Sequence, residues 1–257
     1  MFPIRDHNPS ERIAYVTWAL IVVNVAIHLY VVGTVTSDRA LFDHYTAWAM
    51  IPALVSEGTA LHTLVSSMFL HGDIWHLAGN MLFLWIFGDN MEDTLGHIGF
   101  LLFYLACGVA SAGAQWLAEP LSPIPVIGAS GAIAGVMGGY LLLFPKARVD
   151  ILIFLVVLVR ILPIPAWLML GLWFAFQILA GVGSDPTTGG VAYWAHAGGF
   201  VIGLALMFPL WLSRGGPRWW DRTDGHPPHP DAAWGPLTPT TVPRVTRPRR
   251  RTPWGGR

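Results

Sequence analysis

One serine and one histidine stand out because each interrupts an apolar stretch. Ser130 lies in residues 126–140, a run that otherwise contains apolar residues and glycine, and His196 lies in a second apolar run. Taken alone, Gly-Ala-Ser-Gly is more typical of helix capping or helix packing. A serine hydroxyl becomes a nucleophile when a base such as histidine takes its proton. Because an intramembrane ionisable group indicates function, the pair predicts Ser130 as nucleophile and His196 as general base.

A second pair of polar residues, His76 and Asn80, is spaced four apart. Residues at i and i+4 project from one face of a helix. With the backbone N–H of Ser130 at a helix N-terminus, they could stabilise an oxyanion, where one donor is worth about 3–4 kcal/mol. Singly, His76 also fits an interfacial histidine and Asn80 an interhelical hydrogen bond. No acidic third member is visible, so we expect a Ser–His dyad.

The composition is that of a membrane protein. Of 257 residues, 54% are hydrophobic and 12% are charged, whereas soluble domains carry about 25% charged residues. The mean hydropathy is +0.53. A single cysteine, Cys107, excludes an internal disulfide.

Six apolar stretches predict an all-α, polytopic bundle of six transmembrane helices. Residues 1–12 form a cytoplasmic N-terminus, residues 13–212 the bundle, and residues 213–257 a Pro- and Arg-rich tail predicted to be disordered. Residues 34–73 are expected to lie partly in the membrane interface, with a short amphipathic helix over 61–70. Residues 151–164 are expected to be a connection along the membrane. The predicted helices cover residues 13–33, 74–87, 97–117, 128–144, 166–182 and 191–212.

Charge distribution predicts the topology. Nine arginines lie in the last 45 residues, and Arg5, Arg12, Lys146 and Arg148 would lie on the same side. The positive-inside rule places that side in the cytoplasm. The second, fourth and sixth helices then begin at the outer face, and all four polar residues lie at a similar shallow depth. Glycines that would let these helices approach closely are Gly128, Gly131, Gly135, Gly199 and Gly203.

Three motifs together resemble those of the rhomboid family of intramembrane serine proteases. They are H-x4-H-x3-N at 71–80, G-A-S-G at 128–131 and A-H-x2-G-x3-G at 195–203, and the resemblance covers residues 13–212. Two family features differ here. A tyrosine that some members carry one turn after the serine is replaced by Ala134, and the Trp-Arg pair of the first loop is absent. His196 must therefore be held by another group.

The resemblance implies a serine endopeptidase with Ser130 as nucleophile, His196 as base, and His76 and Asn80 as oxyanion contributors. Glu92 matches an acidic family position with a structural role. The implied partners are transmembrane protein substrates and the lipid bilayer. No cofactor, metal or nucleic-acid partner is expected, and the expected location is a bacterial plasma membrane with the site toward the outer face.

Three alternatives remain open at this stage. A catalytically silent relative could bind transmembrane helices without cutting them, although such a protein would be expected to lose the serine or the histidine. A metal-dependent protease or metal transporter would need three or four suitably spaced ligands. A small-molecule transporter would usually show an inverted repeat, and none is visible in the sequence.

Overall fold

The computed structural model describes residues 2–155, 158–185 and 189–228. These residues form a helical bundle with a small sheet. The helices are α1 (Tyr15–Thr34), α2 (Asp38–Trp48), α3 (Pro52–Ser56), α4 (Thr63–Ser66), α5 (Ile74–Leu95), α6 (His97–Ala118), α7 (Ser130–Leu143), α8 (Ala166–Gly183), α9 (Tyr193–Ser213) and α10 (Pro217–Thr223). The strands are β1 (Phe2–Asp6), β2 (Arg148–Leu155) and β3 (Leu158–Pro165).

Four helices, α1, α6, α8 and α9, are long and apolar enough to cross a membrane. The other two predicted spans differ from them. Helix α5 has 22 residues but carries Asp89, Glu92 and Asp93 near its end. Helix α7 is apolar and has 14 residues, which corresponds to about 21 Å. Most residues of α7 are buried, because this short helix is surrounded by protein.

Helix α7 is the centre of the bundle, and its backbone is in direct contact with that of α9. A Cβ added at Gly203 would overlap the carbonyl oxygen of Gly135, and one added at Gly138 would overlap the carbonyl oxygen of Phe200. Gly135 also faces the side chain of Cys107 on α6. Only glycine lets the backbones of two helices approach each other this closely.

The prediction of an all-α protein was wrong in one region. Residues 151–164, expected to be a connection along the membrane, lie in an antiparallel hairpin of β2 and β3, and β1 completes the sheet in the order β1-β2-β3. The hairpin is rich in Val, Ile and Leu, which favour strands. Pro163 and Pro165 lie in β3, an edge strand, where a missing N–H is tolerated.

The N-terminal segment is folded against the bundle rather than free. Asn8 donates a hydrogen bond to the Tyr140 hydroxyl in α7 at 2.5 Å, and the hydroxyl lies 3.2 Å from Asp6 Oδ2. Arg5 and His7 both pair with the Asp150 carboxylate in β2, at 2.7 and 2.6 Å. Strand β1 therefore ties the sheet to the end of α7 opposite Ser130.

Two segments outside the six predicted spans contain more regular structure than expected. The first long loop carries α2, which begins where the Ser37 hydroxyl accepts a hydrogen bond from the Ala40 N–H. The start of the tail, predicted to be disordered, forms α10, whose Trp220 donates to the Leu142 carbonyl at 2.9 Å. The prediction of disorder for residues 229–257 lies outside the described residues.

Glu92 lies at the end of the bundle away from Ser130, and its side chain is buried. Its carboxylate accepts hydrogen bonds from the backbone N–H groups of Val16 and Thr17 and from the Thr17 hydroxyl, at 2.8–2.9 Å. His97 Nδ1 lies 2.6 Å from the same carboxylate. Glu92 therefore caps the start of α1, whose first N–H groups have no partner within the helix.

The contact between α7 and α9 predicts that Gly203→Ala is strongly destabilising. The new methyl group meets the backbone of Gly135 rather than a movable side chain, so the helices must separate. We expect a loss at or above the upper end of the about 1–3 kcal/mol typical of overpacking, measured as a lower melting temperature in detergent. Gly171→Ala is the control, because a Cβ there meets nothing within 4 Å. Equal melting temperatures for the two variants would contradict this account.

The cluster around Asp6 predicts a pH dependence of stability. Burial, and secondly repulsion by the Asp89 carboxylate, raise the pKa of Asp6 to about 7 from an ordinary value of 3.8. The folded state therefore holds this proton more tightly than the unfolded chain, so stability falls as pH rises from about 4 to 7. In Asp6→Asn this decline should be reduced, and the variant's melting temperature should gain on wild type between pH 5 and pH 8. Asp43→Asn, at an exposed position on α2, should follow wild type.

Candidate active site

The side chains of Ser130 and His196 form a hydrogen bond. Ser130 is the first residue of α7, and His196 lies in the first turn of α9. The distance from Ser130 Oγ to His196 Nε2 is 2.7 Å, within the range in which a histidine can take the hydroxyl proton. The two residues are 66 positions apart in the chain, so the contact is made by the packing of two helices.

Two features bring the start of α9 to Ser130. The first is a close approach of the helices, because a Cβ at Gly199 would overlap the carbonyl oxygen of Gly131. The second is Gln115 of α6, a buried residue whose Oε1 accepts a hydrogen bond from the Ala195 N–H at 3.1 Å. This N–H belongs to the first turn of α9, where no partner within the helix exists. Gln115 thus fixes the backbone beside His196.

The other imidazole nitrogen faces a residue that sequence reasoning missed. His196 Nδ1 lies 2.9 Å from Oε1 of Gln177, a residue of α8 that is only 4% exposed. The Trp173 ring, one turn earlier on α8, lies 5.8 Å from the imidazole at an interplanar angle of 33°. These two residues hold His196 in place of the tyrosine absent at Ala134. The available signal was a lone amide within an otherwise apolar span.

His76 and Asn80 lie on α5 beside the loop that leads into α7. Asp73 caps α5, and its Oδ1 accepts hydrogen bonds from the N–H groups of Trp75 and His76 at 2.7 and 2.9 Å. These bonds lower the pKa of Asp73. The Asn80 side chain is buried, and its Nδ2 has no hydrogen-bond partner among the described residues. An unpaired buried donor is costly, so this amide is available for an oxygen atom supplied from elsewhere.

Gly128 lies in a loop rather than in the helix contact that the sequence predicts for it. Helix α7 begins at Ser130, and Gly128 lies in the preceding loop with φ of +122°. A Cβ at this position would stand 2.8 Å from His76 Nε2 and 3.5 Å from Asn80 Nδ2. The Gly128 N–H donates to the Ser67 carbonyl at 2.9 Å. Gly128 therefore allows this loop to pass directly over the His76 ring.

His71 packs against the ring of His76. Its side chain is buried, and its ring lies 5.1 Å from that of His76 in an edge-to-face arrangement. Burial, with the neighbouring His76 and His28 contributing, lowers the pKa of His71 to about 3. His71 is therefore neutral at physiological pH and acts as a packing group. No group of three or more potential metal ligands occurs among the residues that the structure describes.

All four predicted site residues line one cavity of about 930 Å³. Gln115 and Trp173 line it as well, so helices α5 to α9 all contribute to its wall. Of the remaining predicted residues, Gly131, Gly135, Gly199 and Gly203 lie in the contact between α7 and α9, and Glu92 lies at the far end of α5. The cavity thus combines a Ser–His pair with an unpaired amide donor.

Comparison with known proteins places this arrangement in context. Residues 58–213 match the family model described as the Rhomboid domain. The chain is 35% identical over 155 residues to the mitochondrial Rhomboid protein 1 of Saccharomyces cerevisiae, covering 57% of this chain and 41% of that protein. It is 29% identical over 133 residues to the chloroplastic Rhomboid-like protein 11 of Arabidopsis thaliana, covering 51% and 42%.

Another relative has a higher sequence identity over a shorter stretch. The Rhomboid protease GluP of Bacillus subtilis is 44% identical over 78 residues, which are 30% of this chain and 15% of that protein. The chain therefore spans less than half the length of these curated relatives.

The position of Gly128 predicts that Gly128→Ala impairs the site while the bundle stays folded. The added methyl group would collide with the His76 ring, and alanine is strained at this φ. We expect the rate at which a fluorophosphonate labels Ser130 to fall about tenfold or more, since one misplaced oxyanion donor costs at least that much. Gly113→Ala on α6, where a Cβ meets nothing within 4 Å, should label normally. Wild-type labelling of the Gly128 variant would contradict the assignment.

Proposed function

The chain belongs to the rhomboid family, and from this premise we propose that it is an intramembrane serine endopeptidase with a Ser130–His196 dyad. The observation that carries the proposal is the 2.7 Å hydrogen bond between Ser130 Oγ and His196 Nε2. A solvated or purely structural serine does not need a histidine partner held by side-chain groups of another helix. Here Gln177 and Trp173 supply those groups.

The chemistry would follow from this geometry. His196 Nε2 takes the hydroxyl proton as Ser130 Oγ attacks the carbonyl carbon of a peptide bond. When the C–N bond breaks, His196 gives that proton to the amine leaving group, and an acyl ester remains on Ser130. A water molecule then attacks the ester, with His196 taking its proton and returning it to Ser130 Oγ. Both steps pass through a tetrahedral intermediate that carries a negatively charged oxygen.

Three donors support an oxyanion hole beside the dyad. Ser130 is the first residue of α7, so its N–H has no partner within the helix and points out of the positive helix end. Asn80 contributes the unpaired Nδ2 group. His76 lines the same cavity. Preorganised donors of this kind stabilise the charge that develops in the transition state.

We infer that the substrates are transmembrane segments of other proteins. The cavity is lined by α5 to α9 and by the loops that precede α7 and α9, and α8 carries exposed apolar side chains such as Leu172, Phe176 and Leu179. A substrate would therefore arrive through lipid rather than from bulk water. The Bacillus subtilis relative is named a rhomboid protease, which agrees with this reaction class.

The topology proposed is that of six spans with both termini in the cytoplasm. Ser130, His76 and His196 all lie near the N-terminal ends of their helices. Lys146 and Arg148 lie just past the C-terminal end of α7, on the side that the positive-inside rule assigns to the cytoplasm. The site then opens toward the outer face. The bacterial plasma membrane stays a prediction, since the matched relatives include a mitochondrial protein, a chloroplastic protein and a protein of Bacillus subtilis.

A catalytically silent, helix-binding relative is the second candidate. Such a protein has no need of an assembled dyad, whereas both residues are present here and bonded to each other. The first proposal is therefore favoured.

The decisive experiment uses the purified full chain in mild detergent and a fluorophosphonate probe, with the adduct mapped by mass spectrometry. We expect an adduct on Ser130 that is lost in Ser130→Ala and reduced at least a thousandfold in His196→Ala, because removing the base returns the serine to an unactivated hydroxyl. Ser66→Ala at the end of α4 and His62→Ala just before that helix are matched controls. Their side chains bond to the Trp48 and Ala47 carbonyls and do not line the cavity, so both variants should label normally. An unlabelled Ser130 in folded wild-type protein would favour the silent relative.

A further inference from the structure

We propose that Gln177 is a positioning residue that holds His196 in the tautomer required of the general base, so that α8 completes the catalytic site. This inference rests on the proposed function and names a third member of its proton chain. Gln177 lies on α8, 19 positions before His196 in the sequence, and its Oε1 faces His196 Nδ1 rather than the reacting Ser130 hydroxyl.

The two hydrogen bonds of the His196 ring run in a defined direction. A neutral imidazole carries its proton on one nitrogen and a lone pair on the other. Oε1 of Gln177 is an acceptor and lies 2.9 Å from Nδ1, so Nδ1 carries the proton. Nε2 then has its lone pair directed at Ser130 Oγ, 2.7 Å away. The chain from Ser130 to His196 to Gln177 thus runs in the direction that general base catalysis needs.

The Gln177 amide lies in apolar surroundings. Gln177 is 4% exposed in a helix whose other side chains are largely apolar. A buried amide without a partner is costly, so the apolar surroundings keep the Gln177 side chain bonded to His196.

Two residues of α8 set the orientation of the His196 ring. Trp173 and Gln177 are one turn apart and therefore share a face of α8. The Trp173 ring lies against the imidazole at 5.8 Å and also against Phe200 at 6.1 Å. Gln177 holds one edge of the ring while Trp173 limits its rotation. Ala134, on α7, is too small to contribute such a contact.

A carboxylate commonly fills this position in serine hydrolases, where it orients the histidine and stabilises the imidazolium. A neutral amide can only do the first. Gln177 therefore acts on the tautomer and rotamer of His196. Its removal is expected to lower the reaction rate by less than the removal of a triad aspartate, which lowers kcat about ten-thousandfold.

The test compares three variants of the full chain in mild detergent by the kinetics of fluorophosphonate labelling, which separate probe affinity from the maximal labelling rate. Gln177→Leu keeps the approximate volume but has no acceptor, and we expect its maximal rate to fall at least tenfold with probe affinity within about twofold of wild type. Gln177→Glu keeps an acceptor oxygen at the same reach and should recover most of the lost rate. Leu179→Ala, at a 73% exposed position on α8, should match wild type.

Each outcome decides the question. Labelling of Gln177→Leu within twofold of wild type would overturn the positioning role while leaving the proposed protease function intact. Equal losses in the Leu and Glu variants would also overturn it, since they indicate packing rather than an acceptor. Melting temperatures are measured in parallel, and Gln177→Met, with a flexible unbranched side chain, replaces the leucine variant if that protein does not fold. An unlabelled wild type would overturn both this inference and the proposed function.

Discussion

The close contact between the backbones of α7 and α9 is the constraint on which the site depends. Ser and His have short side chains, so a 2.7 Å bond between Ser130 and His196 requires that their helices nearly touch. Glycines on both helices make this possible, because a Cβ at Gly199 or Gly203 would overlap a carbonyl of α7. The same packing that stabilises the bundle therefore sets the geometry of the reaction.

Buried polar side chains complete helix ends in this protein, and they do so from neighbouring helices. Glu92 of α5 caps α1, and Gln115 of α6 caps α9. In an apolar environment an unpaired N–H group is costly, so each of these side chains fixes where a helix begins. At one end of the bundle the result is structural. At the other, the capped helix carries His196, and a structural hydrogen bond becomes part of the site.

The sheet gives α7 a second anchor at the end away from Ser130. Asn8 of the N-terminal segment reaches the Tyr140 hydroxyl, while Arg5 and His7 pair with Asp150 in β2. Helix α7 is short and apolar and has few polar groups of its own. Its position is therefore set by glycine contacts along its length and by these hydrogen bonds at its end.

The sequence by itself determined the membrane character, the six main helices, the family and the four polar residues that share one cavity. Those features depend on residue type and on local spacing, and the family assignment is confirmed. Tertiary structure alone decided what lies beside them. The hydrogen bonds made by Gln177, Gln115 and Arg5 join residues 19, 80 and 145 positions apart, and the first part of the tail is ordered by contact with α7. Apolar periodicity carries no information about such partners, because a hydrogen bond across helices depends on how the helices pack.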